Sequence, residues 1–188
     1  MPQEVLILRE RKKPKRPDSR FSWISPISRL SRSNRFSAMH PLTHHPFLKM
    51  NGIGNAIVVV DLRSTDYTLT PEDARAIAQA PDSHFDQLMV LYPPHTPQAV
   101  AAMKILNCDG SLSAACGNGT RCVAWALTER SDHHTVTVES DAGLLHCTKN
   151  DAWNFSVDMG TPKLGWAEIP LNTPVADTTF VPLPALPG

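Results

Sequence analysis

Apolar positions along this chain change their period at intervals, and each change marks an element. Residues 57–61, Ile-Val-Val-Val-Asp, form a continuous apolar run of strand length, the pattern of a buried strand. The next periodic stretch, Thr70 to Ala80, places Ala74, Ile77 and Ala78 on one side of a short helix. Its start is well signalled: Thr70 suits the N-cap, Pro71 the first helical position, and Glu72 and Asp73 the positive end of the dipole. "QLMVLY" (87–92) predicts a second strand, stopped by Pro93-Pro94, and "AVAAMKIL" (99–106) a third that runs into the Asn-Cys-Asp-Gly turn at 107–110.

A helix starting at Asn118 or Gly119 puts Cys122, Val123, Ala126 and Leu127 on one face, which predicts a buried central helix. Three more strand-like runs follow, "TVTVES" (135–140), "GLLHC" (143–147) and "WNFSVDMG" (153–160), the last two joined by a Lys149-Asn150-Asp151 turn. The expectation is one sheet around few helices. From Gly165 the chain turns proline-rich, with "IPLNTP" and "FVPLPALPG", and ends like a linker leading to a further domain.

Charge separates the first segment from the rest. Residues 1–39 hold 10 Lys and Arg against 3 Asp and Glu, and the remaining chain holds 8 against 15, so the formal net charge of zero hides two opposed halves. The first 39 residues contain "RERKKPKRP" and lack helical or strand periodicity, which reads as a disordered basic extension. Two sources fit it: an organellar transit peptide, or sequence translated ahead of a natural start at Met39. Because the basic character is local, nucleic-acid binding is not inferred. No apolar run approaches bilayer length, so no membrane role is expected.

Four cysteines, Cys108, Cys116, Cys122 and Cys147, are too few for a disulfide scaffold in 188 residues and form no Cys-x-x-Cys pair, so reduced thiols in the cytoplasm are the expectation. Three of them read as small buried hydrophobes. Cys116 differs, because Gly117, Gly119, a helix start and the polar turn at 107–111 converge on it. Free N–H groups and the positive end of the helix dipole favour a thiolate there, and the two glycines let a carboxylate approach the backbone. His133 and His134 sit in a polar turn, so no triad accompanies the thiol. An activated thiol of this kind suits proton abstraction better than hydrolysis.

These residues resemble a known family. "NCDGSLSAACGNGTRC" (107–122) is similar to the first active-site segment of diaminopimelate epimerases, and "FLKMNGIGNAIVVVD" (47–61), "FDQLMVLYPP" (85–94) and "VDMGTPKLGWAEIPL" (157–171) match further segments in order. The resemblance covers about residues 46–175. It implies an α+β domain over 40–165, a mixed, mostly antiparallel sheet wrapped around a central helix, followed by a linker over 166–188. It also implies interconversion of LL- and meso-diaminopimelate by two cysteines without pyridoxal phosphate, metal or other cofactor, and a homodimer for the full-length protein.

Carried over by motif, Cys116 is one of the two acid/base thiols, Asn55, Gln87 and Asn107 are polar substrate contacts, and the backbone of Gly117 and Asn118 holds the α-carboxylate. Asn51 stands where the family usually has His, and Ala56-Ile57 where it has Asp-Phe. The family's second Cys-Gly-Thr-Gly loop falls outside these residues, and Cys147, followed by Thr-Lys-Asn, does not replace it. The expectation is therefore an N-terminal domain, inactive by itself. Two alternatives stand beside it: another cofactor-independent racemase of this fold, such as proline racemase with its Cys-Gly-His-Gly, or a non-catalytic domain that captures a carboxylate.

Overall fold

The structure, a computed structural model, describes residues 6–7, 24–26, 42, 45–80, 83–129, 131–169 and 171–181. Among the described residues, ten strands and two α-helices occupy the first unit, 1–158. The strands are β1 (Leu6–Ile7), β2 (Ile24–Pro26), β3 (Pro46–Gly52), β4 (Asn55–Asp61), β5 (Gln87–Tyr92), β6 (Ala101–Asn107), β7 (Leu112–Ser113), β8 (Thr135–Ser140), β9 (Gly143–Lys149) and β10 (Asn154–Asp158). The helices are α1 (Pro71–Gln79) and α2 (Gly117–Thr128). All the strands join one sheet, in the order β1-β10-β9-β8-β6-β5-β4-β3-β2, with β7 paired to the later part of β6. Every pairing is antiparallel except β4 with β5 and β6 with β8.

The sheet curls around α2, which touches β3, β4, β5, β8, β9 and β10. Strand alternation divides the apolar residues of β4 and β5 between two cores. Ile57, Val59, Met89 and Leu91 face Cys122, Val123 and Ala124 of α2. Val58, Val60, Leu88 and Val90 face Ala74 and Ile77 of α1, together with Phe85 and Leu62. A strand covered on both faces has no reason to alternate, hence the unbroken run at 57–60.

α1 starts where its sequence signals it. Thr70 Oγ1 accepts from the Asp73 N–H at 3.2 Å and Asp73 Oδ2 accepts from the Thr70 N–H at 2.9 Å, a reciprocal capping box with Pro71 at the first helical position. Tyr67 adds its hydroxyl to the same carboxylate at 2.5 Å, and burial with this bond raises the phenol's pKa.

Two expected details are corrected. α2 begins at Gly117, one or two residues before the expected start, because the Cys116 side chain itself supplies the cap. Its buried positions are Gly119, Thr120, Cys122, Val123, Ala124 and Thr128, while Ala126 and Leu127 are only half-buried. A sheet curled around the helix covers more than one stripe, so Thr120 and Thr128 are buried too, each hydroxyl donating back to the carbonyl four residues earlier at 2.8 Å. Trp125 stacks on Trp153 at 5.7 Å between ring centroids.

Within the basic segment 1–39 only β1 and β2 are described; the rest of the expected extension lies outside the described residues. The second unit, 159–188, contains a single 3-10 turn at Trp166–Glu168 among its described residues. Glu168 Oε2 accepts from the Gly165 N–H at 3.3 Å, and Thr178 donates to the Leu164 carbonyl. Residues 182–188 of the expected linker lie outside the described part.

Candidate active site

Strand register brings the polar candidates to one end of the sheet. Gln87 opens β5 and is paired with Ile57 of β4 on one side and Asn107 of β6 on the other. Asn55 lies two residues before Ile57 and so shares its face, the face that packs on α2. Asn55, Gln87 and Asn107 therefore stand on three adjacent strands, all half-buried.

Cys116 is the N-cap of α2. Its Sγ accepts from the Gly119 N–H at 3.2 Å and donates to Gln87 Oε1 at 2.5 Å. The thiol is thus tied to the helix on one side and to a substrate-candidate amide on the other. Gly119 makes this close approach possible: a Cβ there would lie 2.4 Å from Met89 Sδ and 3.3 Å from Cys116 Sγ. The leading N–H groups of an α-helix have no intrahelical acceptor, and in α2 these include the N–H groups of Gly117 and Asn118. Arg121 brings its guanidinium to Asn118 Oδ1 at 3.1 Å.

The other cysteines differ in kind. Cys122 and Cys147 are buried, and desolvation pushes each thiol up to about 12, with the nearby Cys116 adding to the effect on Cys122. Cys108, expected as a buried hydrophobe, is instead exposed in the turn after β6, where no core element covers it. His133 and His134 are exposed.

Sequence reasoning missed the residues that hold the candidates in place. Asn107 Nδ2 donates to Ser111 Oγ at 3.0 Å, and Ser111 in turn donates to Asp109 Oδ1 at 2.6 Å. Those Ser111 bonds hold the Asp109 carboxyl below its ordinary value. Gly110, at φ 84°, lets this turn pack on α1, since a Cβ would lie 2.6 Å from the Pro71 carbonyl oxygen. Asp86 Oδ2 accepts from the Ala56 N–H at 2.7 Å and fixes the start of β4 beside Gln87. The only sequence signal for these roles is Asp and Ser in turns, where side chains commonly bond nearby backbone.

A curled sheet around a central helix, with a thiol that caps the helix and bonds the Gln87 amide, marks the class of domain. The chain belongs to the diaminopimelate epimerase family: the family model "Diaminopimelate epimerase" matches residues 47–165. The diaminopimelate epimerase of Methylobacterium sp. (strain 4-46) is 54% identical over 151 residues, covering 77% of this chain and 51% of the relative. A diaminopimelate epimerase of Methylorubrum extorquens is 50% identical with the same coverage. The chain spans about half the length of the curated relatives it matches. Among solved structures, a PhzF-family phenazine biosynthesis protein from Bacillus anthracis aligns with 51% of this chain and 30% of its own, at 26% identity and TM-score 0.39.

Proposed function

We propose that this chain carries one half of a diaminopimelate epimerase site and that Cys116 is one of its two proton carriers. The observation that carries the reading is the Cys116 thiol capping α2 while bonded to Gln87, with Asn55 and Asn107 on the flanking strands. As thiolate, Cys116 takes the α-proton from one face of the substrate carbon; as thiol, it returns a proton in the reverse direction. The α-carboxylate lies against the N–H groups of Gly117 and Asn118, where the helix dipole opposes its charge. Asn55, Gln87 and Asn107 supply hydrogen bonds that select the polar substrate and fix its α-carbon over the sulfur.

Inversion needs a second acid on the opposite face of the same carbon. Cys122, held near pKa 12 in the core, does not fit that role. As the family resemblance implies, we place the second donor on another polypeptide segment, which would also close the site against water and stabilise the carbanion. Each turnover moves one proton off and one on, with no change in oxidation state.

The test is incubation of LL-diaminopimelate in D2O with this chain, alone and mixed with a separately expressed C-terminal half of the Methylobacterium relative. The expected result is meso product carrying α-deuterium in the mixture only, lost with Cys116→Ala. Robust meso product from the chain alone, or from the Cys116→Ala mixture, overturns the reading.

A further inference from the structure

We propose that Asn51 is a positioning residue for Asn55, acting through the two-residue turn Ile53-Gly54 that lies between them; the proposal rests on the functional reading above, in which Asn55 contacts substrate. Asn51 Oδ1 accepts from the Gly54 N–H at 3.0 Å. Gly52 and Asn55 are paired across the β3–β4 hairpin, and the residues between them, Ile53 and Gly54, have φ values of 46° and 90°. Positive φ at both central positions is the turn whose twist matches its strands, and it normally uses Asn and Gly.

Ile53 is the single non-glycine residue with positive φ among the described residues. A β-branched side chain disfavours that conformation strongly. Ile53 is also 58% exposed, so core packing does not hold it there. Besides the pairing of Gly52 with Asn55, the turn is held by a local side-chain bond, the Asn51 amide oxygen accepting from the Gly54 N–H.

The ground on either side of the turn is fixed. Gly52 lies against α2, where an added Cβ would sit 3.3 Å from the Asn118 Cβ and 3.6 Å from Cys122 Sγ. Ala56 is clamped by Asp86 through two bonds, its N–H donating at 2.7 Å and its carbonyl accepting at 2.8 Å. With both neighbours anchored, the turn is the remaining freedom that decides where Asn55 enters β4. If Ile53 relaxes to negative φ, the turn no longer matches the strand twist and Asn55 is the first residue displaced.

The experiment compares the chain with Asn51→Ala, Asn51→Asp and the double variant Asn51→Ala/Ile53→Gly. Amide exchange and side-chain amide resonances are followed by NMR, and LL-diaminopimelate is then added in the presence of the complementing C-terminal half. Asn51→Ala speeds Gly54 N–H exchange about 5- to 10-fold, the scale set by loss of one exposed hydrogen bond, and moves the Asn55 amide resonances. Asn51→Asp, which keeps an Oδ acceptor, restores both. The double variant restores the Asn55 resonances, because glycine adopts positive φ without the cap. Substrate-dependent shifts at Asn55 weaken several-fold in Asn51→Ala and return in the other two variants.

Unchanged Gly54 exchange and Asn55 resonances in Asn51→Ala overturn the positioning role, whatever the ligand does. An intact turn in the unsubstituted chain whose Asn55 never responds to diaminopimelate overturns instead the functional reading, and with it the claim that the turn aims a substrate contact.

Discussion

Gly119 and Met89 are packed with no space for a methyl group between them: a Cβ on residue 119 would lie 2.4 Å from Met89 Sδ and 2.6 Å from its Cε. Met89 is fully buried between α2 and the sheet, so its thioether end can make room only by repacking its neighbours in the core. Replacing glycine by alanine in a helix ordinarily gains up to about 1 kcal/mol. Here overpacking opposes that gain and outweighs it, so Gly119→Ala is expected to cost about 1–3 kcal/mol net. Urea unfolding measures it. A stabilised variant would show that the helix start can move off the sheet freely.

The sulfur of Cys116 has a structural role separable from its chemistry. It accepts the Gly119 N–H, one of the bonds a helix start needs. Cys116→Ser preserves an acceptor at the N-cap and is expected to match or slightly exceed the parent in stability, whereas Cys116→Ala loses about 0.5–2 kcal/mol. If Cys116 is the proton carrier proposed above, both variants are expected to abolish deuterium incorporation in the mixed-halves assay, since neither a methyl group nor an alcohol of much higher pKa replaces the thiol. Equal stability of the two variants would mean that the thiol does not cap the helix.

How much was legible follows from the range of each interaction. α1 could be read from sequence because its capping box joins Thr70 to Asp73 within one turn. The start of α2 was read late because cysteine is an uncommon cap, and the bond that reveals it, from Gly119 to Sγ, is a matter of geometry. The strands over 57–61, 87–92 and 135–140 were visible as apolar or alternating runs. Their partners were not, since the parallel pairings of β4 with β5 and β6 with β8 depend on crossovers that place distant segments side by side. At the site, Gly117-Asn118-Gly119 announced Cys116, but its bond to Gln87 spans 29 residues and exists only once register is set. Asn51 looked like a departure from a family pattern; only the φ values of Ile53 and Gly54 give it a role.

Helix-start placement and burial together should sort the thiols by reactivity. Cys122 and Cys147, pushed up to about 12, hold a thiolate fraction on the order of one in ten thousand at pH 8 and are shielded as well. Iodoacetamide on the native chain, followed by peptide mapping, is expected to label Cys116 first, then Cys108 in its exposed turn, and to leave the other two untouched until urea is added. Labelling of Cys122 under native conditions would contradict the packing of α2 against β4 and β5.

Acid stability offers a check on the far end of the sheet. Glu139, on β8, gathers the loop after β5: its carboxylate accepts from the His95 N–H at 2.9 Å, from His95 Nδ1 at 2.9 Å and from the Thr96 N–H at 2.6 Å. Hydrogen bonds to Thr96 and His95 pull its pKa down to about 2 from the ordinary 4.5. A carboxyl whose folded value is depressed contributes stability in full above its unfolded value, and the contribution fades as pH falls toward the folded value. The window is therefore from about pH 4.5 down to about 2. Glu139→Gln keeps the shape, cannot bind a proton in that range, and is expected to be less stable than the parent at pH 7. The gap between the two proteins should narrow steadily as pH falls through the window, as followed by urea midpoints at several pH values. Parallel curves, with the gap unchanged from pH 7 to pH 3, would mean that Glu139 titrates alike in the folded and unfolded chains and that its bonds to the 95–96 loop do not hold in solution.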